Sequence, residues 1–383
     1  MRVVLQPLAL AAVVVLAGCA THHPKRVALT GDPLVDGQNA LQQGPARDHV
    51  LWEYRMAASA FRRGQFAEAK KWLDDALPRI GGIIANDRDA KKARGLFHTE
   101  ARKMFIGEPY ERVMAYYYRG ILYWMDGEPD NARACFRSAQ FMDADTENKT
   151  YAADYVLLDY LDGFITARLG GDGSDELKRA KASAKNSTPP PYLTNANVLV
   201  FLEFGHGPVK YAAGEHAQML RFREGRSSAR SVSLQVGGKK YPVLAYDDLH
   251  FQATTRGGRV MDHILANKAV FKDTTSVVGD AAIISGLALA STGEHNEAAA
   301  IVGGLGVLSK IFSSATTPEA DIRAWDNLPQ FLSFAALTLP PGPHEITLDF
   351  QGADGRTLVT KKVTFTVTEA RRDLVLFVSE LNS

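Results

Sequence analysis

The sequence predicts an α+β protein: an N-terminal α-helical repeat domain, then a β-rich domain (a sandwich or an open sheet) with a Gly/Ala-rich helical insertion. Three observations carry that prediction. Small and apolar residues recur at helical spacing as far as about residue 192. Beyond residue 193 the pattern changes to short apolar or alternating runs broken by Gly and Pro, which is the spacing of strands. Between the two regimes stands Asn-Ser-Thr-Pro-Pro-Pro-Tyr at 186–192, whose three prolines make a stiff extended linker and a domain boundary. The 383 residues suffice for two cores, and 46% hydrophobic with 23% charged residues is an ordinary soluble globular composition. A formal net charge of +1 leaves no generally basic surface, so no nucleic-acid partner is expected.

The chain opens with Arg2, an apolar run over 8–16, and the small residues Ala17 and Gly18. This is the build of a secretory signal peptide over 1–18, and the run is too short to span a bilayer. Leu16-Ala17-Gly18-Cys19 matches the lipobox of bacterial lipoproteins, so cleavage before Cys19 and lipidation of Cys19 are expected. Several acyl chains would hold the protein firmly, since each buried methylene contributes roughly 0.8 kcal/mol. Ala20, where Asp would retain a lipoprotein at the inner membrane, resembles the sorting signal for the outer membrane. The other reading is an ordinary signal peptide with a chance cysteine. Residues 19–48 mix Pro, Gly and polar residues without period and are expected to form a flexible tether. The His22 and His23 pair in it is a poor metal site.

A helical domain is expected over 49–192. Ala57, Ala60, Gly64, Phe66, Ala69, Leu73 and Ala76 mark one helix pair; Tyr116, Gly120, Tyr123, Gly127, Ala132, Phe136 and Ala139 mark a second. The spacing Gly64, Ala69, Ala76 recurs as Gly127, Ala132, Ala139, 63 residues later. Small residues where paired helices cross, with aromatics around them, are the signature of tetratricopeptide-like repeats. A weaker third pair is expected over 155–169 and 175–184, around Gly170-Gly171-Asp172-Gly173, with Ser174 or Asp175 as helix N-cap. That loop lacks the ligand order of a calcium site. A Lys/Arg-rich helical segment over 87–105 falls outside the repeat. Cys135, with no second cysteine in the mature chain but Cys19, reads as a small buried hydrophobe.

The β-rich domain is expected over 193–383. Strands are read at 197–205, on both sides of Gly237-Gly238, and at 331–339, 345–350, 358–367 and 373–381. The helical insertion lies at about 258–325. Its apolar core, 276–312, reads as a hairpin packed on the sheet or on another subunit, or in the sharper reading inserted into membrane.

Chemistry is hard to find. No Gly-x-Gly-x-x-Gly, Walker loop, His-Glu-x-x-His, Gly-x-Ser-x-Gly or cysteine pair is present. Asp247, Asp248 and His250, with His263 beyond, are the best catalytic-looking cluster, with Asp248 and His250 on one face of a strand. Without a nucleophile or a third ligand they carry little. Glu108 and Glu111 read as acids stabilising a helix N-terminus. No enzyme activity, cofactor or metal is expected.

The lipobox, the helical pairs and three runs at 107–114, 197–210 and 321–344 resemble a family of bacterial lipoproteins with tetratricopeptide-like helices and a β-rich C-terminal part. Asp321, Arg323, Trp325, Leu328 and Pro329 match a segment that enters a strand in that family. Residues 339–344 resemble the Pro-Gly hairpin of PEGA-type surface modules. The resemblance implies a lipid-anchored protein on the periplasmic face of the outer membrane and supplies no catalytic residues. The expected role is a non-enzymatic scaffold whose repeats hold a protein partner in a groove near Trp52, Tyr54, Tyr110, Arg112, Tyr117 and Tyr118. Tyr116 and Tyr123 read instead as repeat core, and Tyr117 divides between the two readings. The alternative is a glycan- or peptidoglycan-binding module acting through Gly342, Pro343 and His344.

Overall fold

The structure, a computed structural model, describes residues 29–84, 104–144, 151–185, 187–215, 217–255, 320–368 and 373–382. The signal peptide, Cys19, His22 and His23, His263, the apolar stretch 276–312 and most of 87–105 lie outside the described residues.

The protein is α+β. Helix α1 (Pro33–Gln43) occupies part of the expected tether. Asp32 starts it by accepting from the Leu34 amide (3.0 Å), and Pro33 fills the first helical position, where a missing N–H costs nothing. This corrects the tether reading for residues 33–43; residues 19–28 of that tether lie outside the described residues. Three helix pairs follow: α2 (His49–Arg62) with α3 (Phe66–Ile84), α4 (Pro109–Met125) with α5 (Pro129–Asp143), and α6 (Val156–Arg168) with α7 (Ser174–Ser183). The small residues sit where the spacing placed them. Ala69, Ala76, Ala132 and Ala139 are fully buried. A Cβ on Gly120 would lie 2.7 Å from the Phe136 ring, so α4 and α5 approach as closely as they do only without one. Helix α7 begins at Ser174 with Gly173 as its cap, and Asp172, not Ser174 or Asp175, supplies the capping carboxylate, to the Ser174 amide.

The β part holds β1 (Val198–His206), β2 (Val209–Ala213), β3 (Met219–Arg223), β4 (Ser231–Val236), β5 (Lys239–Leu244), β6 (Asp247–Asp248), a short helix α8 (Leu249–Thr254), β7 (Pro329–Leu337), β8 (Gly342–Gln351), β9 (Thr357–Val367) and β10 (Leu374–Ser379). One four-stranded sheet has the order β10-β1-β7-β6, a second the order β5-β4-β8-β9, and β2-β3 form a separate ribbon. Gly237 and Gly238, both at positive φ (55° and 75°), make the two-residue turn between β4 and β5 whose twist suits a hairpin. The Pro-Gly segment before β8 is not a hairpin: it carries the chain from β7 in one sheet to β8 in the other. Asp248 and His250 do not share a strand face either, because Asp248 caps α8 through the His250 amide (2.8 Å).

The layers follow from strand β1. Its alternate residues Val198, Val200, Leu202 and Phe204 join the core between the two sheets, while Leu199 and Phe201 join the core shared with the helices. A strand buried on both faces reads as a continuous apolar run, which is why 198–204 shows no alternation. Phe201, Phe334 and Val375 of the first sheet lie in one cluster with Tyr54, Tyr118, Trp124 and Phe164 of the helices. The core therefore continues across the proline-rich linker, where the sequence placed a boundary, and Tyr192 of that linker packs on Tyr160 (5.1 Å) and donates to the Gly173 carbonyl (3.0 Å). Burying one such aromatic contributes on the order of 2 kcal/mol, so a shared core of this size holds helices and sheet as one body.

Candidate functional site

Helix α4 is buried almost all round: of its 17 residues only Tyr116, Tyr123 and Met125 keep appreciable exposure. One face meets α5 and α3, and the opposite face meets the sheet. Tyr54, Tyr110, Tyr117 and Tyr118 are consequently buried in the layer between helices and strands; Arg112 is buried too, and its guanidinium donates to the Gly107 carbonyl. These five cannot line an open groove, which corrects that expectation; the four tyrosines pack on Trp325 of the strap 320–328, Phe222 of β3, Phe201 of β1 and Phe377 of β10. Burial holds the hydroxyls of Tyr54, Tyr117 and Tyr118 well above the usual tyrosine range. Tyr116 and Tyr123, expected at the core, are half-buried, with Arg119 stacked 3.6 Å above the Tyr123 ring. Of the six, Trp52 alone reaches the surface.

The three runs at 107–114, 197–210 and 321–344 converge on one buried ion pair. Glu111 opens α4 in a capping box with Glu108, whose amide donates to Glu111 Oε2 (2.6 Å). The same oxygen accepts from Lys210 Nζ of β2 (2.6 Å), and Oε1 accepts from the Trp325 amide of the strap (2.7 Å). Lys210 Nζ donates again to the Arg323 carbonyl (2.9 Å), and both side chains are closed to solvent. Trp325 then slots against Tyr54, ring to ring at 4.3 Å, and edge-on to Tyr118. Glu111, read as a helix-dipole acid, is thus the post to which helix, ribbon and strap are tied.

A groove of about 450 Å³ opens above this pair, lined by Leu51, Trp52 and Arg55 of α2, Pro208 and Val209, and Ile322, Arg323 and Asp326 of the strap, with Lys210 in its floor. Its apolar walls are open to water: Val209 is 39% and Ile322 55% exposed. The Arg55 guanidinium lies 4.7 Å over the Trp52 ring and bonds Asp326 (2.8 Å); Arg323 pairs with Asp48 and Asp321 (both 2.6 Å). Residues 320–325 are neither helix nor strand, so the expected helical insertion does not reach 325. A second, open depression of about 410 Å³ is lined by Pro343, His344, Glu345, Thr364, Phe365 and Thr366, beside Gly342. There the His344 ring stacks on Phe365 and bonds the Pro340 carbonyl (2.8 Å), so its ring nitrogen is already engaged.

Two further buried carboxylates, Glu203 and Asp247, and the half-buried Asp373 tie helices to the sheet part. Glu203 of β1 accepts from Arg62, Tyr118 and Ser379. Asp373 accepts from Arg168 and from the Trp124 indole. Asp247 of β6 caps helix α6 from outside it, accepting from the Val156 (2.8 Å) and Leu157 (2.9 Å) amides. The sequence singled out Asp247 as a weak catalytic prospect; its position as a remote cap explains it. Burial pushes its carboxyl up to about 7 against the pull of those two amides. A carboxyl whose folded value exceeds its unfolded one binds more protons when folded, so stability falls as pH rises across that interval. Between pH 5 and 7 the protein is expected to lose about 2–3 kcal/mol through this group, at about 1.4 kcal/mol per unit. Asp247→Asn, which cannot ionise, is expected to flatten that part of the slope in urea unfolding at both pH values; an unchanged slope would refute the assignment.

Among the described residues no group of three His, Cys, Asp or Glu could hold a metal ion, and no helix is long and apolar enough to cross a membrane. Cys135 is half-buried and its thiol is pushed up to about 11 by burial, so it is protonated at neutral pH and a poor nucleophile. Comparison of the chain with known protein families, with curated proteins and with solved structures finds no match in any of the three.

Proposed function

We propose that the protein is a lipid-anchored lipoprotein of the outer membrane, facing the periplasm, that works as a non-enzymatic scaffold and holds a protein partner at the Trp52 groove. The anchor rests on Leu16-Ala17-Gly18-Cys19. The scaffold reading treats the three helix pairs as tetratricopeptide-like repeats, supported by the buried alanines at repeat spacing. Such repeats bind partners on their exposed concave surface. Here the sheet fills the inner side of α4, which moves the binding surface to the end of α2.

The observation that carries the reading is the groove itself. A tryptophan with an arginine stacked on it, flanked by solvent-exposed Val209 and Ile322, is the composition of an interface hot spot. Below it the Lys210–Glu111 pair and the strap fix the walls, so the surface is preorganised. In cells, a photo-crosslinking amino acid at Ile322 is expected to capture one protein, and Trp52→Ala is expected to weaken that complex about 30-fold, the loss typical of a tryptophan hot spot at ~2 kcal/mol. Adducts that do not depend on Trp52 would refute the groove. Membrane fractionation of a Cys19→Ser form tests the anchor in the same cells, with release from membranes as the expected result.

A further inference from the structure

One rim of the Trp52 groove carries positive charge that the described chain does not balance. The wall supplied by β2 is Val209, and its partner across the ribbon is Arg223; two residues on, Tyr211 faces Arg221. Side chains paired across antiparallel strands share a face, with Cβ atoms about 5 Å apart. Lys210 and Phe222 point the other way, to Glu111 and to the Tyr110 ring. The outer face of the ribbon thus continues the groove from Val209 to Tyr211, Arg221 and Arg223. Among the described residues Arg223 has no ion pair, and Arg221 reaches only the Leu220 carbonyl and the Met219 sulfur. The opposite rim is balanced, since Arg55 and Arg323 are matched by Asp326, Asp48 and Asp321.

From this juxtaposition we infer that the groove takes an acidic, apolar-anchored segment of a partner polypeptide. An apolar side chain seats between Trp52 and Val209, and adjacent carboxylates lie across Arg221 and Arg223. The inference rests on the groove reading above and specifies the chemistry of its partner. Two features favour a polypeptide over an anionic lipid surface. The apolar walls stand between α2, Pro208 and the strap around a groove of about 450 Å³, a concave shape that suits a side chain better than a flat lipid surface. The cations are arginines, whose planar forks match carboxylates two bonds at a time.

Panning a phage library of random linear peptides on the full mature chain tests this, in parallel with Arg221→Glu/Arg223→Glu and Trp52→Ala chains. The native chain is expected to select peptides with Asp or Glu beside a bulky apolar residue. The charge-reversed chain is expected to select Lys or Arg in their place. Affinity of a selected acidic peptide should fall at least about tenfold on charge reversal, and should weaken with added salt. Selected peptides with no acidic excess, an excess that charge reversal leaves intact, or no selection at all would overturn the inference. If peptides of any charge still require Trp52, the groove reading stands without it; if they bind Trp52→Ala as tightly, the groove reading falls too. Binding to phosphatidylglycerol vesicles that charge reversal abolishes, with no acidic peptides selected, would assign the arginines to lipid and overturn the inference.

Discussion

Lys210→Met is expected to destabilise the protein by about 3–5 kcal/mol, because it leaves the Glu111 carboxylate buried and without its cation. Glu111 would keep the Glu108 and Trp325 amides as donors, at 2.6 Å and 2.7 Å, but would lose the ammonium that neutralises it in a position closed to solvent. For a protein whose whole stability is on the order of 5–15 kcal/mol, that is a large fraction. The reverse change is expected to be gentler when both partners go together. Glu111→Gln keeps an oxygen to accept from Trp325, so Glu111→Gln/Lys210→Met should regain about 2 kcal/mol relative to Lys210→Met alone. Urea unfolding of the single and double variants measures this. A Lys210→Met cost below about 1 kcal/mol would show that the ammonium is not buried against Glu111 as described. Loss of Lys210 also frees the Arg323 carbonyl, so the strap carrying Ile322 should loosen, and the groove should become less well formed before the core does.

The helices and strands were largely legible because their signals are local. Alanines at repeat spacing placed α2 to α5, and a continuous apolar run identified β1 as a strand covered on both sides. The candidate groove was misplaced for a reason that periodicity cannot repair. Helix α4 is apolar on two faces, and sequence does not tell which face meets a neighbouring helix and which meets a sheet from 85 residues further on. The sequence therefore reads Tyr118 as surface and divides Tyr117 between surface and core, whereas both are interior. Helix α1 was hidden by Pro and Gly around it, although Asp32-Pro33 is a start signal that could have revealed it. The strands β2 and β3 are five residues each, with charged and apolar residues mixed on both faces, so they gave no strand signal. Glu203 and Lys210 did carry a signal: each is a lone charge within an apolar run, and such a charge needs a buried partner. Which partner it finds depends on tertiary contacts across 141 residues for Glu203 and 99 for Lys210, which no spacing rule reaches.

The second large effect is expected at Glu203, where a strand, two helices and the C-terminal strand meet. Its carboxylate accepts from Arg62 Nε (2.5 Å), the Tyr118 hydroxyl (2.5 Å) and the Ser379 hydroxyl (2.7 Å), and Arg62 donates onward to the Asn327 carbonyl (2.6 Å). Glu203→Gln strands the Arg62 guanidinium in the core, where it is 3% exposed, and is expected to cost about 3–5 kcal/mol. Arg62→Met should cost less, about 2–3 kcal/mol, because two hydroxyl donors still face the carboxylate it leaves behind. The two changes share one interaction, so Glu203→Gln/Arg62→Met is expected to fall short of their sum by about 2 kcal/mol. Thermal and urea unfolding of the four proteins give that coupling directly. Additivity within about 0.5 kcal/mol would mean the two charges do not depend on each other, and that apolar contacts such as Phe61 stacked on Phe377 at 4.0 Å hold α2 to the sheet alone. Apolar packing tolerates sliding between layers, whereas a carboxylate with three donors from three elements satisfies them in one registration only. The expected coupling is therefore also a statement about function: it fixes α2, and with it Trp52, against the strap that forms the other wall of the groove.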